Sequence, residues 1–469
     1  MFLLLTVVLF LLALPLFSVP RAAGATFSNP QAIELTPGGS NYPSALQASD
    51  GTLWVAWQQA FDTGVYMTYT TSTGWSVIQT LPTGNRFVIS PALSQLHNSS
   101  IILIWSSNQT GRWNLYSKLY SNGAWRNTVQ LTAGTSFDDF FPEAAVSTNS
   151  TVYVFWERFF SSTSSSIYYK TLKGDQWSGD VQLSGGTNVD VTPTALATYD
   201  GKIWVAWSRL VSGNYNVYYR NYNGSTWSPE NLLTSNNYDI GPSLVQDRNG
   251  TIWIFWSRQV QLSNGTGAVY EQKLFYKYTY DGSTWAADTQ LTFYGDVNTP
   301  LDDLEPSVVQ GVDKTLWIFY STDYPSAYEY DIYYIKSSSI FPVHNVVITQ
   351  VRSGPYAFQK NYATVLVTVS NQGDYYETIQ LTITAANLTS YTIASAVSEN
   401  VPAGSSVTVV FSWNIVSAPL GRYVITVSYP RLTGQSLLAS GGDQLQFRVL
   451  TLLPPIKVGA CHSSRDCPV

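Results

Sequence analysis

A ten-residue phrase, Asn249-Gly-Thr-Ile-Trp-Ile-Phe-Trp-Ser-Arg258, stands in six recognisable copies along the chain and limits what the chain can fold into. The other copies occupy Asp50–Trp57, Ser100–Trp105, Thr151–Trp156, Asp200–Trp207 and Asp313–Tyr320. Each starts at a turn and continues as an unbroken apolar, β-branched and aromatic run of five to seven residues. That is the pattern of a strand buried on both faces, and the runs are too short and too tightly bracketed by turns for helices.

Each copy follows a strand marked by proline and small or apolar residues, at Pro43, Pro91, Pro142, Pro193, Pro242 and Pro306. The spacings are 48, 51, 51, 49 and 64 residues. Periods near 50 residues with four short strands per unit are the signature of a β-propeller. Within one unit the strands read Pro242-Ser-Leu-Val-Gln246, Thr251–Trp256, Leu274–Tyr278 and Thr289–Thr292, the last after Asp281-Gly-Ser-Thr-Trp285. Asp-Gly and Asn-Gly turns between such runs favour hairpins, so the units are meanders. Outer strands follow Trp75, Trp125, Trp177, Trp227 and Trp285, five for six units, and the sixth unit stops after Lys336. The unpartnered segment Ala32–Thr36 is expected to complete the sixth blade and close the ring, which removes an aggregation-prone edge.

The phrases Pro242-Ser-Leu-Val, Asn249-Gly-Thr-Ile-Trp, Tyr218-Tyr-Arg220 and Gly224-Ser-Thr-Trp227 resemble the BNR or Asp-box repeat of sialidase-like propellers, over residues 32–338. Asn223-Gly-Ser-Thr-Trp227 and Asp281-Gly-Ser-Thr-Trp285 resemble an Asp box one residue short. In that family these boxes are structural turns and identify a fold, not an activity. After Phe341 the period changes to alternating strands, at Val346–Thr349, Thr364–Val369, Thr378–Ile383, Val407–Trp413 and Gly421–Val427. Turn signals about every ten residues describe a β-sandwich. Asn371-Gln-Gly373, Pro402-Ala-Gly-Ser405 and Gly421-Arg-Tyr423 resemble a CARDB-type immunoglobulin-like domain, a class of spacer and adhesion modules. The chain is therefore expected to be all-β: a leader at 1–25, a six-bladed propeller at 26–340, a sandwich at 341–450 and an exposed tail at 451–469.

Of the 469 residues only 12% are charged and 14% are aromatic, the net charge is -6, and no basic block occurs. Nucleic-acid binding is excluded on that balance, and no glycine-rich loop follows a strand to cradle a nucleotide. Phe2–Val19 is apolar and is followed by small residues through Ala25, as in an export signal, although the run is also long enough for an uncleaved membrane anchor. Sequons at Asn98, Asn108, Asn149, Asn223, Asn249, Asn264 and Asn387 are compatible with a glycosylated extracellular or cell-surface protein. Cys461 and Cys467 can close only a local loop near the C-terminus. His97, His344 and His462 are scattered, so no zinc site and no cofactor is expected. Calcium is the one metal with a candidate, the acidic run Asp296–Glu305.

Arginine stands two residues after the second-strand tryptophan in three successive units, at Arg158, Arg209 and Arg258. Aspartate stands three residues before the first-strand proline in four, at Asp139, Asp190, Asp239 and Asp303. In a meander these positions share one face of the disc. Repetition favours a belt of Asp–Arg pairs that fix loops. The functional alternative is a ligand site on that face, with Tyr238, Phe140, Phe141, Phe159, Phe160 and Tyr294 as stacking partners for sugar rings. The sialidase resemblance implies an arginine triad, a Tyr/Glu nucleophile pair, an Asp acid/base and an Arg-Ile-Pro motif. No Arg-Ile-Pro is present, Arg86-Phe-Val-Ile89 replaces it poorly, and the three arginines are related by the repeat, so they do not map onto the triad. The expected function is therefore a non-catalytic, exported binding or adhesion protein that recognises glycans or cell-envelope proteins. A sialidase-like glycoside hydrolase and a structural envelope protein are the alternatives.

Overall fold

A computed structural model describes residues 26–453 except 35–38, 60–62, 85, 175, 236–237, 263–266, 326–328, 338–345, 359–361, 374–375, 387–389 and 430–445. The leader, His344, His462, both cysteines, and the sequons at Asn264 and Asn387 lie outside the described residues. Within the described residues the protein is all-β.

Six antiparallel meanders make six blades. Their first strands are Ser40–Gln47, Val88–Gln95, Asp138–Val146, Asp190–Ala197, Asp239–Gln246 and Asp303–Gln310, and all six line a central channel. This position explains the prolines. The innermost strand has one edge facing the channel, where a missing N–H is tolerated and further pairing is blocked. The repeated apolar phrases form the second strands, from Leu53–Gln59 round to Leu316–Thr322. The fourth strands are short pieces after the turn tryptophans. In blade 6 that place is taken by Gln31–Glu34, which pairs antiparallel with Asp331–Lys336, as expected of the closing strand. Its bounds differ slightly from Ala32–Thr36, since residues 35–38 lie outside the described set.

Each interface between neighbouring blades has its own apolar cluster, and the one between blades 6 and 1 joins Leu53, Val55 and Trp57 to Phe319, Ile332 and Ile33. The tryptophans are interface core, as their repetition implied: Trp54 contacts Tyr120 of blade 2, and Trp204 contacts Trp285 of blade 5. Polar stitches run beside this core. In four blades the residue after the proline accepts the next blade's backbone N–H: Ser44 from Leu93 (2.9 Å), Thr194 from Leu244 (3.3 Å), Ser243 from Val308 (3.2 Å) and Ser307 from Ala45 (2.9 Å). At the other end of the same strands, Gln95, Gln246, Gln310 and Gln47 accept N–H groups from Ser49, Tyr199, Arg248 and Val312 of the preceding blades. Blade 6 therefore meets blade 1 through the same bonds used elsewhere around the ring.

The C-terminal unit has a three-stranded sheet (Val346–Ser353, Tyr362–Asn371, Ser406–Asn414) and a five-stranded sheet. One core of Val365, Val367, Phe411 and Trp413 against Ile379, Leu381, Tyr423 and Ile425 joins them. The five expected strands are present. Three more were not foreseen: Tyr356–Phe358, Ser390–Val401 and Gln446–Leu453. The last extends beyond the expected boundary at 450, because it pairs with Gly421–Ser428 through Leu452.

Candidate functional site

At one end of the channel every first strand slips register at its X-Pro step. The residue before the proline then has a left-handed backbone in all six blades: φ is 53° at Tyr42, 51° at Ser90, 49° at Phe141, 48° at Thr192, 63° at Gly241 and 57° at Glu305. Five of these are not glycine, and such conformers cost about 1–3 kcal/mol each, so the surroundings must hold them. Hydrogen bonds from neighbouring blades hold four of the five. The Ser90 N–H donates to Gln58 Oε1 (2.8 Å), the Glu305 N–H to Ser257 Oγ (3.2 Å) and the Tyr42 N–H to Glu305 Oε2 (2.7 Å), while Glu157 receives the Thr192 N–H. The six residues ring a cavity of about 100 Å³ at the channel mouth. Behind it the channel widens to about 650 Å³ towards the opposite end.

The ring is asymmetric. Tyr42 of blade 1 and Phe141 of blade 3 bring their rings within 5.3 Å of each other, with only the small Ser90 of blade 2 between their strands. Phe141 contacts Phe140 at 6.2 Å, and Phe140 contacts Trp113 at 5.6 Å and Phe159 at 6.3 Å. A second group, Phe137, Phe160 and Tyr168, lies on the same blade, with Phe160 45% exposed. An aromatic tract thus leaves the mouth across blades 2 and 3.

Three carboxyl groups accompany it. Glu143 follows Pro142 where other blades carry Ser, Thr or Ala, and it lines both the mouth and the wider channel. Its Oε1 accepts the Ala144 N–H (3.0 Å), and loss of hydration pushes the carboxyl up to about 7. Glu305 lies in the blade diametrically opposite. Burial pushes it up to about 7 against the pull of the Tyr42 N–H and the Ser321 hydroxyl. Glu157, 4% exposed between blades 3 and 4, is pushed by burial up to about 8, and its Oε2 has no hydrogen-bond partner. The charge of Glu305 in turn drives the Tyr42 phenol well above its ordinary value. Near neutrality the mouth therefore holds acids that still carry protons, beside apolar rings.

The Asp–Arg belt is present and buried. Asp139, Asp190 and Asp239 stand directly across the ladder from Arg158, Arg209 and Arg258. Each pair is bidentate at 2.6–3.0 Å, with the aspartates 0% and the arginines 6–8% exposed. Each guanidinium also meets a carboxylate before the outer strand, at Asp180, Glu230 or Asp288. It stacks on the second-strand tryptophan and a third-strand ring, as Arg209 does on Trp207 and Tyr218. Asp303 instead takes the Thr322 hydroxyl and Lys273. Every group of the belt is thus turned onto protein partners, the geometry of a device that fixes loops.

Of the proposed stacking residues, Phe140, Phe141, Phe159 and Phe160 come together on blade 3. Tyr238 packs on Tyr215 and Tyr294 on Tyr324, in other sectors. In the acidic run, Asp296 caps its own turn through Asn298 and Thr299, and Asp302 accepts from the Gln272 N–H and the Tyr330 hydroxyl. Among the described residues no group of three or more His, Cys, Asp or Glu has the arrangement of a metal site. Asn98, Asn149 and Asn223 close their own turns with the side-chain oxygen, while Asn108 and Asn249 are partly buried. Tyr42, Glu143 and Glu157 escaped the sequence reading, and Glu305 entered it only as the end of the acidic run. Aligned repeats do carry their signal: an acid or large ring beside the proline, and an acid after Trp156 where blade 1 has glutamine.

No family model matches this sequence, and no curated protein matches it. Similar solved structures exist. A protein of unknown function from Dyadobacter fermentans aligns with a TM-score of 0.54 at 9% identity, over 67% of this chain and 99% of that one. The fold is an all-β, six-bladed propeller followed by a two-sheet unit. The NanB sialidase of Streptococcus pneumoniae aligns with a TM-score of 0.48 at 10% identity, over 66% of this chain and 70% of that one. A polysaccharide lyase, PL25 ulvan lyase, gives 0.41 at 13% identity, over 71% and 91%. At 9% identity the likeness to the Dyadobacter protein speaks for the fold alone.

Proposed function

We propose that this is an exported, cell-surface or secreted protein that binds saccharides at the mouth of its propeller channel. The observation that carries this reading is the tract Tyr42–Phe141–Phe140–Trp113, which meets a polar cavity lined by residues of all six blades. Apolar rings beside a few convergent polar groups are what a sugar requires, since it presents a C–H face and a rim of hydroxyls. The resemblance of the repeats to sialidase-like propellers supports the same direction, and that of the C-terminal unit to a CARDB-type domain supports a spacer role on an envelope. A glycan array probed with the wild type and Phe140→Ala tests the reading. We expect binding that the folded variant loses; absence of binding to any glycan would refute it and favour an envelope protein as partner.

Glycoside cleavage is the second reading. What favours it is that Glu143 and Glu305, on opposite sides of the lumen, hold protons up to about pH 7, the state needed for a general acid. Turnover of an array hit, abolished in Glu305→Gln, would establish it; binding without turnover would leave the binding role.

A further inference from the structure

We infer that the mouth selects saccharides that are uncharged or bear an amine, and turns away those carrying carboxylate or sulfate. The inference rests on the proposed glycan site. None of the residues that line the mouth cavity is lysine, arginine or histidine; its ionisable side chains are Tyr42, Glu143 and Glu305. The arginines best placed by sequence to take an acidic sugar are Arg158, Arg209 and Arg258. Each is saturated by two carboxylates and buried under aromatic rings, which leaves no fork for a ligand. Arg112, near the outer end of the aromatic tract, is paired with Asp138 at 3.0 Å, and Arg86 lies outside the lining.

The lining groups suit hydroxyls. Ser44, Thr194, Ser243 and Ser307 accept a backbone N–H from the next blade, so their own O–H is available to donate into the lumen. Glu143 uses Oε1 on the Ala144 N–H, which leaves Oε2 as a lumenal acceptor, or as a donor when protonated. Behind the ring, Glu157 is buried with an unpartnered Oε2 and no cation beside it, so no counter-charge waits there for an anionic group either. An anionic sugar would lose its hydration there and meet carboxyl groups and no counter-charge, the arrangement by which a site rejects a ligand. A neutral sugar pays no such penalty, and an ammonium group gains a partner.

The test is an array of neutral, amino, uronate, sialylated and sulfated glycans probed at pH 8, where Glu143 has largely released its proton, with the full chain and Glu143→Gln. Where that variant fails to fold, Glu143→Ser, which copies the residue of blade 1, takes its place. We expect neutral or amino glycans to bind, the anionic counterpart of each hit to bind at least tenfold more weakly, and the substitution to narrow that gap. Binding confined to anionic glycans, or a gap unchanged by either substitution, would overturn the selectivity while leaving the glycan reading intact. Absence of binding to every class would refute that reading and the inference with it.

Discussion

Glutamine at position 157 should make the propeller more stable above neutral pH and leave it unchanged in acid. Blade 1 already carries the substitution in effect: Gln58 follows Trp57 as Glu157 follows Trp156, and its amide oxygen holds the Ser90 N–H as Glu157 holds that of Thr192. Burial raises the Glu157 carboxyl from 4.5 to about 8. Between those values the folded state keeps a proton that the unfolded state has released, so stability is full below 4.5 and declines until pH passes 8. At about 1.4 kcal/mol per pH unit, the interval sets an upper bound of about 5 kcal/mol on the cost of charging this side chain in the fold. Glu157→Gln removes that cost. Urea unfolding followed by tryptophan fluorescence should give wild type and variant within about 1 kcal/mol at pH 4, and the variant ahead by about 2–5 kcal/mol at pH 9. A difference that does not change with pH, or a variant less stable at pH 9, would refute the placement of Glu157 as an uncompensated buried acid.

Two further outcomes follow from the ring. Arg209→Ala leaves Asp190 buried without its bidentate partner and Glu230 unpaired, and should cost about 3–5 kcal/mol, seen as a lowered melting temperature; an unchanged melt would contradict the structural role of the belt. Deletion of residues 26–37 removes the strand that pairs with Asp331–Lys336 and takes Ile33 from the interface between blades 6 and 1. Light scattering should then report association through the bared edge, and an equally stable monomer would refute the closure.

The sequence by itself determined the blades. Their strands are short apolar runs bounded by turn residues, and the identity of such a run is set by its own pattern and repeated by its copies. It also implied the closing strand by counting, and the Asp–Arg belt because residues directly across a hairpin ladder have fixed separations in sequence. Ser390–Val401 was missed because small and polar residues interrupt the alternation of Tyr391, Ile393, Val397 and Val401; its pairing with Glu377–Ala386 makes it a strand. The mouth was decided by the tertiary structure. Tyr42 and Phe141, or Glu143 and Glu305, become neighbours or opposites only when six blades close on one axis. The raised acids arise in the same way, because a carboxyl group's affinity for its proton depends on the water it loses to distant parts of the chain. Local pattern therefore fixed the disc, and ring closure fixed the chemistry at its centre.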